Sequence, residues 1–310
     1  MEALLKNKRE TLIIGSRESL LAVRQARIVL DYLRASCPDL GCDLRTMKTT
    51  GDRILDKRLD QIGGKGLFVR ELDQALRAGR TDLSVHSLKD VPAEIPEDLP
   101  LIGFSEREDP RDVLVLPAGS AEIDFTKPIG TSSRRRILQA RDLFPQARFE
   151  SVRGNVQTRL RKLDEGQYGA ISLAAAGLRR LGLEDRISRC FSTEEIIPSA
   201  GQGILALQGR QGEDYACLDG FVSRASAMAA AAERGFVNAL GGGCTSPIAA
   251  HAEFPDGTAE GKMVRMTLRG FYYDDTTNRS VRKCAEFCVD SPAQAAAAGR
   301  ELAAAVLEDR

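Results

Sequence analysis

Histidine is scarce in this 310-residue sequence, which contains only His86 and His251. Two histidines give little support for a histidine-rich metal site or for a Ser-His-Asp triad, and we predict no metal site. The chain also lacks an apolar run near the roughly 18 residues that a membrane-spanning helix needs. Its first ten residues, MEALLKNKRE, contain no apolar signal core, so we expect neither secretion nor a membrane partner.

Cysteine is present, but not in the pattern of a disulfide framework. The seven cysteines are odd in number and scattered, which is typical of a reducing compartment, so we expect a cytoplasmic protein. Two of them, Cys284 and Cys288, lie four residues apart in a strand-like run and are only a weak metal signal. The seven positions are Cys37, Cys42, Cys190, Cys217, Cys244, Cys284 and Cys288.

Neither sign of charge predominates, because 44 basic residues balance 44 acidic ones. A globally basic surface for nucleic acid is therefore unsupported. The segment 130–162 is different, since its nine basic residues face only Asp142 and Glu150. That local excess of positive charge indicates a binding site for an anionic ligand rather than a positive potential over the whole surface. The nine are Arg134, Arg135, Arg136, Arg141, Arg148, Arg153, Arg159, Arg161 and Lys162.

Short apolar runs alternate with segments of helical periodicity, which predicts an α/β protein. A polar, glycine-bearing stretch at 51–66 is long for a structureless connection, so we interpret it as a mobile functional loop. The segment 199–203 is predicted to cross back to the first strand series. The predicted strands are residues 11–15, 42–49, 82–88, 148–152, 169–174, 248–253, 263–273 and 281–289. The clearest helices are expected at 23–33, 68–76, 225–240 and from Ala293.

Two segments repeat one pattern, a strand followed by glycine, hydroxyl residues and a helix. They begin at Ile14 and at Ile129. Free N–H groups at a helix N-terminus bind anions, so the pair predicts a cleft that holds a polyanion from two sides. Ordinary helix caps are the alternative.

The dipeptide Lys89-Asp90 follows the predicted strand 82–88, at the edge of the sheet where α/β proteins bind ligands. Pro92 keeps Val91 out of a helix, so the chain turns there. A carboxylate at this place could stabilise a cationic intermediate. From these residues alone, a surface salt bridge in a turn is the preferred interpretation of the dipeptide.

Arg135 and Arg136 follow hydroxyl residues at the start of a predicted helix. Arginine binds carboxylates through two parallel hydrogen bonds, but positive charge is unfavourable at a helix N-terminus. A bound anion would offset that cost, whereas a solvated basic face is the alternative. Cys244 lies in a predicted glycine-rich loop, where its thiol should be accessible for covalent attachment. A cysteine without a function is the alternative.

Eight short strings, taken in order, resemble the porphobilinogen deaminase family over about residues 12–252. Each string is weak alone, but eight in order are highly specific. They are GSRES (15–19), GGKGLF (63–68), VHSLKDVP (85–92), EREDPRD (106–112), GTSS (130–133), RGNV (153–156), GQG (201–203) and GGC (242–244).

The resemblance implies two lobes like type II periplasmic binding proteins and a small α+β C-terminal domain. Residues 1–106 and 203–222 would form the first domain, 107–202 the second and 223–310 the third. The resemblance further implies a monomeric enzyme without nucleic-acid or membrane partners.

The activity implied is that of a hydroxymethylbilane synthase, a transferase of tetrapyrrole biosynthesis. Such an enzyme carries a dipyrromethane cofactor in thioether linkage, here on Cys244. It adds four porphobilinogen units, releases ammonia each time, and frees hydroxymethylbilane by hydrolysis. Asp90 matches the catalytic aspartate, which would hold pyrrole N–H groups and stabilise the azafulvenium cation.

The same resemblance assigns a set of cofactor- and substrate-binding residues and a lid loop that carries Lys65 and Phe68. The binding residues are Arg17, Ser19, Ser87, Lys89, Thr131, Ser133, Arg135, Arg136, Arg153, Arg159, Arg180 and Gln202. Each pyrrole ring bears an acetate and a propionate, so a basic cleft in a neutral protein is expected.

The sequence departs from the family pattern beside the cysteine, where Gly241 and Thr245 replace a glutamate and a glutamine. A non-catalytic bilobal anion-binding protein of the periplasmic-binding type is the alternative, and it needs neither Asp90 nor Cys244. A second alternative, an ATP phosphoribosyltransferase of similar fold, is disfavoured by the strings that contain Asp90 and Cys244.

Overall fold

The structure is a computed structural model that describes residues 11–53, 69–242, 246–255, 257 and 262–309. Its strands are β1 (Thr11–Arg17), β2 (Gly41–Met47), β3 (Leu83–Ser87), β4 (Leu101–Phe104), β5 (Asp112–Val115), β6 (Ile129–Gly130), β7 (Phe149–Glu150), β8 (Ala170–Ala174), β9 (Arg189–Cys190), β10 (Leu205–Gly209), β11 (Ile248–Glu253), β12 (Val264–Asp274) and β13 (Arg279–Val289). Its α-helices are α1 (Leu20–Ser36), α2 (Thr50–Arg53), α3 (Arg70–Arg77), α4 (Arg134–Leu143), α5 (Val156–Asp164), α6 (Ala175–Arg180), α7 (Arg224–Ala239) and α8 (Pro292–Glu308).

The first sheet has the strand order β2-β1-β3-β10-β4, and together with α1–α3 it forms the first lobe. Strands β1, β2 and β3 are parallel, whereas β10 runs antiparallel to both of its neighbours. Helix α1 begins where the Ser19 hydroxyl accepts a hydrogen bond from the Ala22 N–H. Its buried face, which includes Val29 and Leu33, packs against the strand residues Leu12 and Ile14.

The second sheet repeats this plan with the order β7-β6-β8-β5-β9, and with α4–α6 it forms the second lobe. Here β5 is the antiparallel strand. Each antiparallel strand is the one that the chain enters on arriving from the other lobe, at Asp112 and at Leu205. The molecule is therefore an α/β protein with two type II periplasmic-binding-protein-like lobes.

The C-terminal unit consists of the antiparallel sheet β11-β12-β13 and the helices α7 and α8, an α+β arrangement. The two helices approach closely, since a β-carbon at Gly299 would lie 2.1 Å from the Ala232 carbonyl oxygen. Leu88 and Val91, on either side of Lys89-Asp90, belong to the same buried cluster as Phe236 of α7. The turn that carries Asp90 is thereby packed between the first lobe and the C-terminal unit.

Most of the predicted elements are confirmed, with bounds shifted by a few residues. The strand expected at 148–152 is shorter, because β7 is an edge strand that pairs with β6 through only two residues. Strands β4, β9 and β10 were not predicted; β4 and β9, with four and two residues, are too short to show alternation. Of the expected loop at 51–66, the part after Arg53 lies outside the described residues.

Within the described ranges, no helix is both long and apolar enough to cross a membrane.

Candidate active site

A cavity of about 900 Å³ lies between the two lobes, and the start of β11 and the end of α7 complete its wall. It opens at the carboxyl ends of β1, β3, β6 and β8, which is where α/β sheets bind ligands. Asp90 and all twelve predicted binding residues line it. Three further predicted residues, Lys65, Phe68 and Cys244, lie outside the described residues.

A short 3-10 helix, Leu88–Asp90, follows β3 and presents two opposite charges to the cavity. Leu88 anchors it in the core, Lys89 is half-buried, and Asp90 is exposed at the cavity surface. Burial and the neighbouring Arg136 lower the pKa of Lys89 to about 8. A carboxylate open to the cavity and an amine held beside it therefore lie together at this edge of the sheet.

Asp112 lies fully buried behind the cavity wall and holds two of the predicted arginines. Its Oδ2 accepts from Arg135 Nη1 at 2.6 Å, and its Oδ1 accepts from Arg136 Nε at 2.9 Å. Burial would raise the pKa of Asp112, but the two guanidinium groups hold it well below its usual range. The two arginines therefore share the single negative charge of Asp112, and the three side chains together keep a net positive charge.

The sequence left open whether a bound anion or solvent offsets the arginines at the start of α4. The structure shows that protein carboxylates already do so, with Asp112 on Arg135 and Arg136, and Asp275 on Arg134. Helix α4 is also capped, because the Ser133 hydroxyl accepts from the Arg136 N–H at 3.4 Å. Ser19 and Ser133 are thus both ordinary helix caps and residues of the cavity wall.

Three other arginines of the second lobe form no ion pair with a carboxylate among the described residues. They are Arg153, Arg159 and Arg180. Arg159 donates to the Gly154 carbonyl and Arg180 to the Gly203 carbonyl. Burial lowers the pKa of each to about 10, and for Arg159 the charges of Arg136 and Arg153 add to the effect. The cavity therefore contains more positive charge than the described protein groups neutralise, which is the condition for binding a polyanion.

Some lining residues were missed from the sequence. Gln25 donates to the Ser87 hydroxyl at 2.8 Å, and Lys48 and Arg234 also line the wall. Asp112 was counted only as part of a string. An acid that opens a strand whose other residues are all apolar was a signal that could have identified it as a buried partner for arginine.

Neither histidine lines the cavity. Burial lowers the pKa of His86 to about 4, and its Nε2 lies 3.0 Å from Gln208 Oε1. His251 bridges Arg107 and Glu253, as a structural residue would.

Fold and cavity together define a two-lobed α/β protein with a cationic cleft in which Asp90 is exposed. The family described as "Porphobilinogen deaminase, dipyromethane cofactor binding domain" matches residues 12–217. The family described as "Porphobilinogen deaminase, C-terminal domain" matches residues 227–308. The chain belongs to the porphobilinogen deaminase family.

Two porphobilinogen deaminases of known sequence support the same assignment. A porphobilinogen deaminase of Acetivibrio thermocellus is 55% identical over 261 residues, which cover 84% of this chain and 87% of that protein. One of Ruminiclostridium cellulolyticum is 50% identical, covering 91% and 93%. Among solved structures, the BvgS VFT2 domain of Bordetella pertussis has a TM-score of 0.39 and 15% identity, covering 66% of this chain and 82% of that domain.

The family assignment makes the chain a transferase of tetrapyrrole biosynthesis with a dipyrromethane-binding domain. The alternative of a non-catalytic anion-binding protein is not favoured.

Proposed function

We propose that this chain condenses four porphobilinogen molecules onto a covalently bound dipyrromethane primer, releases ammonia at each addition, and frees hydroxymethylbilane by hydrolysis. The observation that carries the proposal is the cationic cavity, in which Arg153, Arg159 and Arg180 lack a described carboxylate partner and face the same space as Asp90. A growing chain of pyrroles carries two carboxylates per ring and would neutralise that charge.

The residues present fit such a cofactor. The cations of the cavity wall would hold its acetates and propionates, among them Lys89, Arg135, Arg136, Arg153 and Arg159. When bound, dipyrromethane supplies the pyrrole carbon that attacks the incoming substrate. Bidentate guanidinium contacts would also orient each ring, which a lysine could not do as well.

Cys244 is the proposed attachment residue. Gly242 and Ser246, the described residues that flank the segment 243–245, both line the cavity. Because these two neighbours line the cationic cavity, a primer attached at Cys244 would begin beside the cations that bind its carboxylates. The flanking residues therefore support a thioether at Cys244.

Asp90 is the proposed catalytic residue. Its carboxylate would accept the N–H of the substrate pyrrole and stabilise the positive charge that develops as ammonia leaves. Lys89, half-buried beside it, would hold a substrate carboxylate rather than compete for the same proton. The exposure of Asp90 to the cavity supports the role, because a reacting group has to be reachable.

The division into residues 1–106 with 203–222, 107–202 and 223–310 remains our proposal for the domains. The sheets support it, since β1–β4 with β10, β5–β9 and β11–β13 each form one sheet. We also propose a cytoplasmic monomer. The six described cysteines are free thiols, which agrees with a reducing compartment.

Intact mass under denaturing conditions tests the proposal most directly. The wild-type protein should exceed its polypeptide mass by one dipyrromethane, and Cys244→Ser should lose that increment together with all turnover. Cys284→Ser, which removes an exposed thiol of β13, is the matched control and should keep both.

Turnover is measured as hydroxymethylbilane formed per porphobilinogen consumed, with an expected ratio of about one to four. Correctly folded wild-type protein with a bare polypeptide mass and no turnover would exclude the proposed function. An increment that persists in Cys244→Ser would place the attachment on another residue.

A further inference from the structure

Asp112 makes contacts that no assigned role explains. It is the first residue of β5 and is fully buried, yet its two oxygens accept hydrogen bonds from three side chains that come from two separate parts of the chain. Two of these are Arg135 and Arg136 of α4. The third is Gln202, whose Nε2 donates to Asp112 Oδ1 at 3.0 Å.

Gln202 extends the contact to the other lobe. Its Nε2 also donates to the Pro110 carbonyl at 2.6 Å, while its Oε1 accepts from Lys89 Nζ at 3.2 Å. The amide orientation is fixed, because one end has two acceptors and the other a cationic donor. A continuous path of hydrogen bonds thus leads from Lys89, at the end of β3, to Asp112 in the second lobe.

We propose that Asp112 is a positioning residue of the condensing reaction. Its carboxylate holds Arg135 and Arg136 directly and Lys89 through Gln202, so that three cations from both lobes face the cavity in one arrangement. The proposal rests on the proposed function of those cations as carboxylate ligands.

The physical need for such a residue follows from the charges. Three cations at one wall repel one another, and lysine in particular has a flexible side chain that would turn toward solvent. A buried carboxylate reduces the repulsion without occupying the cavity, because it lies behind the wall. The ligand then meets side chains that are already oriented, which lowers the entropy cost of binding and alignment.

The groups that act on Lys89 come from three elements. Asp90 lies on the same 3-10 helix as Lys89, Arg135 and Arg136 lie on α4, and Asp112 lies on β5. Removing the charge of Asp112 would leave Asp90 as the one carboxylate of this set. The protonated form of Lys89 would then be less favourable, so its pKa should fall below the value of about 8.

The test is Asp112→Asn in the holoenzyme. The variant should turn over at least about tenfold more slowly, and the alkaline limb of its pH profile should move to lower pH by about half to one unit. Asp109→Asn is the matched control, because Asp109 also pairs with two arginines, Arg111 and Arg179, three residues earlier. It should keep the wild-type pH profile even if it lowers the midpoint of urea unfolding.

A direct readout comes from NMR titration of protein labelled with ¹³C at lysine Cε, with the Lys89 signal assigned through Lys89→Arg. Lys89 should titrate lower in Asp112→Asn and as in wild type in Asp109→Asn. An unchanged titration with unchanged turnover in Asp112→Asn overturns the proposal. An equal shift in Asp109→Asn overturns it too, since the effect would then be general loosening.

If Asp112→Asn does not fold, Gln202→Met removes the link to Lys89, together with the hydrogen bond to the Pro110 carbonyl, and leaves Arg135 and Arg136 on Asp112. Lys89 should again titrate lower, and an unchanged titration would refute the link. Should the wild-type protein form no hydroxymethylbilane, the proposed function fails, whereas the Lys89 titration still shows whether Asp112 holds Lys89 through Gln202.

Discussion

Gly201 lies so close to Leu88 that a β-carbon at position 201 would fall 2.5 Å from Leu88 Cγ. The backbone of Gly201 has a φ of +74°, a conformation that side chains with a β-carbon rarely adopt. Its N–H also donates to the buried carboxylate of Glu233 at 2.6 Å. Because Leu88 precedes Lys89 and Asp90, this contact connects the crossover between the lobes to the turn that carries Asp90.

Gly201→Ala is therefore expected to lower the free energy of unfolding by about 2–4 kcal/mol, from backbone strain and overpacking together. It should also reduce turnover, since Leu88 has to move. Gly212→Ala is the matched control, because Gly212 has a φ of +78° but open space around it, and should cost only about 1 kcal/mol. Urea unfolding measures both, and equal losses would show that the Leu88 contact is unimportant.

Asp90→Asn should reduce turnover at least about 10²-fold, because a neutral amide cannot stabilise developing positive charge. Its unfolding free energy should stay within about 0.5 kcal/mol of wild type, since the residue is exposed. The dipyrromethane mass increment should remain. Turnover near the wild-type level would refute the catalytic role.

Arg159→Gln should stabilise the protein that carries no cofactor, a result opposite to that of most substitutions. Burial and the charges of Arg136 and Arg153 disfavour the guanidinium in the fold, so removing it should raise the free energy of unfolding by about 1–2 kcal/mol. The measurement is made in a Cys244→Ser background, which prevents attachment. With Cys244 present, the same substitution should lower the fraction of protein that carries the cofactor mass.

Arg161→Gln is the control for that experiment, because Arg161 is on the same helix but exposed and paired with Glu165. It should change stability by less than about 0.5 kcal/mol and leave loading intact. Destabilisation of the Cys244→Ser protein by Arg159→Gln would contradict the excess of positive charge in the empty cleft.

Glu253 should contribute to stability in a way that acid removes. The hydrogen bond with His251 and the charge of Arg269 lower its pKa to about 2, against an ordinary 4.5. Because the pKa of Glu253 is lower in the fold than in the unfolded chain, its ionised carboxylate stabilises the fold. This stabilisation is complete above pH 4.5 and is lost as the pH falls toward 2. Glu253→Gln should therefore flatten the dependence of unfolding free energy on pH in that window.

Urea unfolding at a series of pH values between about 2 and 6 measures the slope. Glu286→Gln, which removes an exposed glutamate of β13, is the control and should alter the slope less. A Glu253→Gln slope identical to that of wild type would mean that His251 and Arg269 do not stabilise the ionised carboxylate.

The amino-acid sequence by itself determined the α/β class, most strands and helices, and the position of Asp90 after a strand. These features are local, because hydrophobic periodicity, helix caps and turn residues act over a few neighbouring positions. The ordered strings also indicated the family, which the comparisons confirm.

Only the tertiary structure decided which charges meet. Asp112 is 23 residues from Arg135 and 90 from Gln202, and Lys89 is 113 from Gln202. No spacing along the chain encodes such contacts, because they arise when elements from two lobes pack together. Burial at that junction then sets which arginines are neutralised by protein and which remain for a ligand.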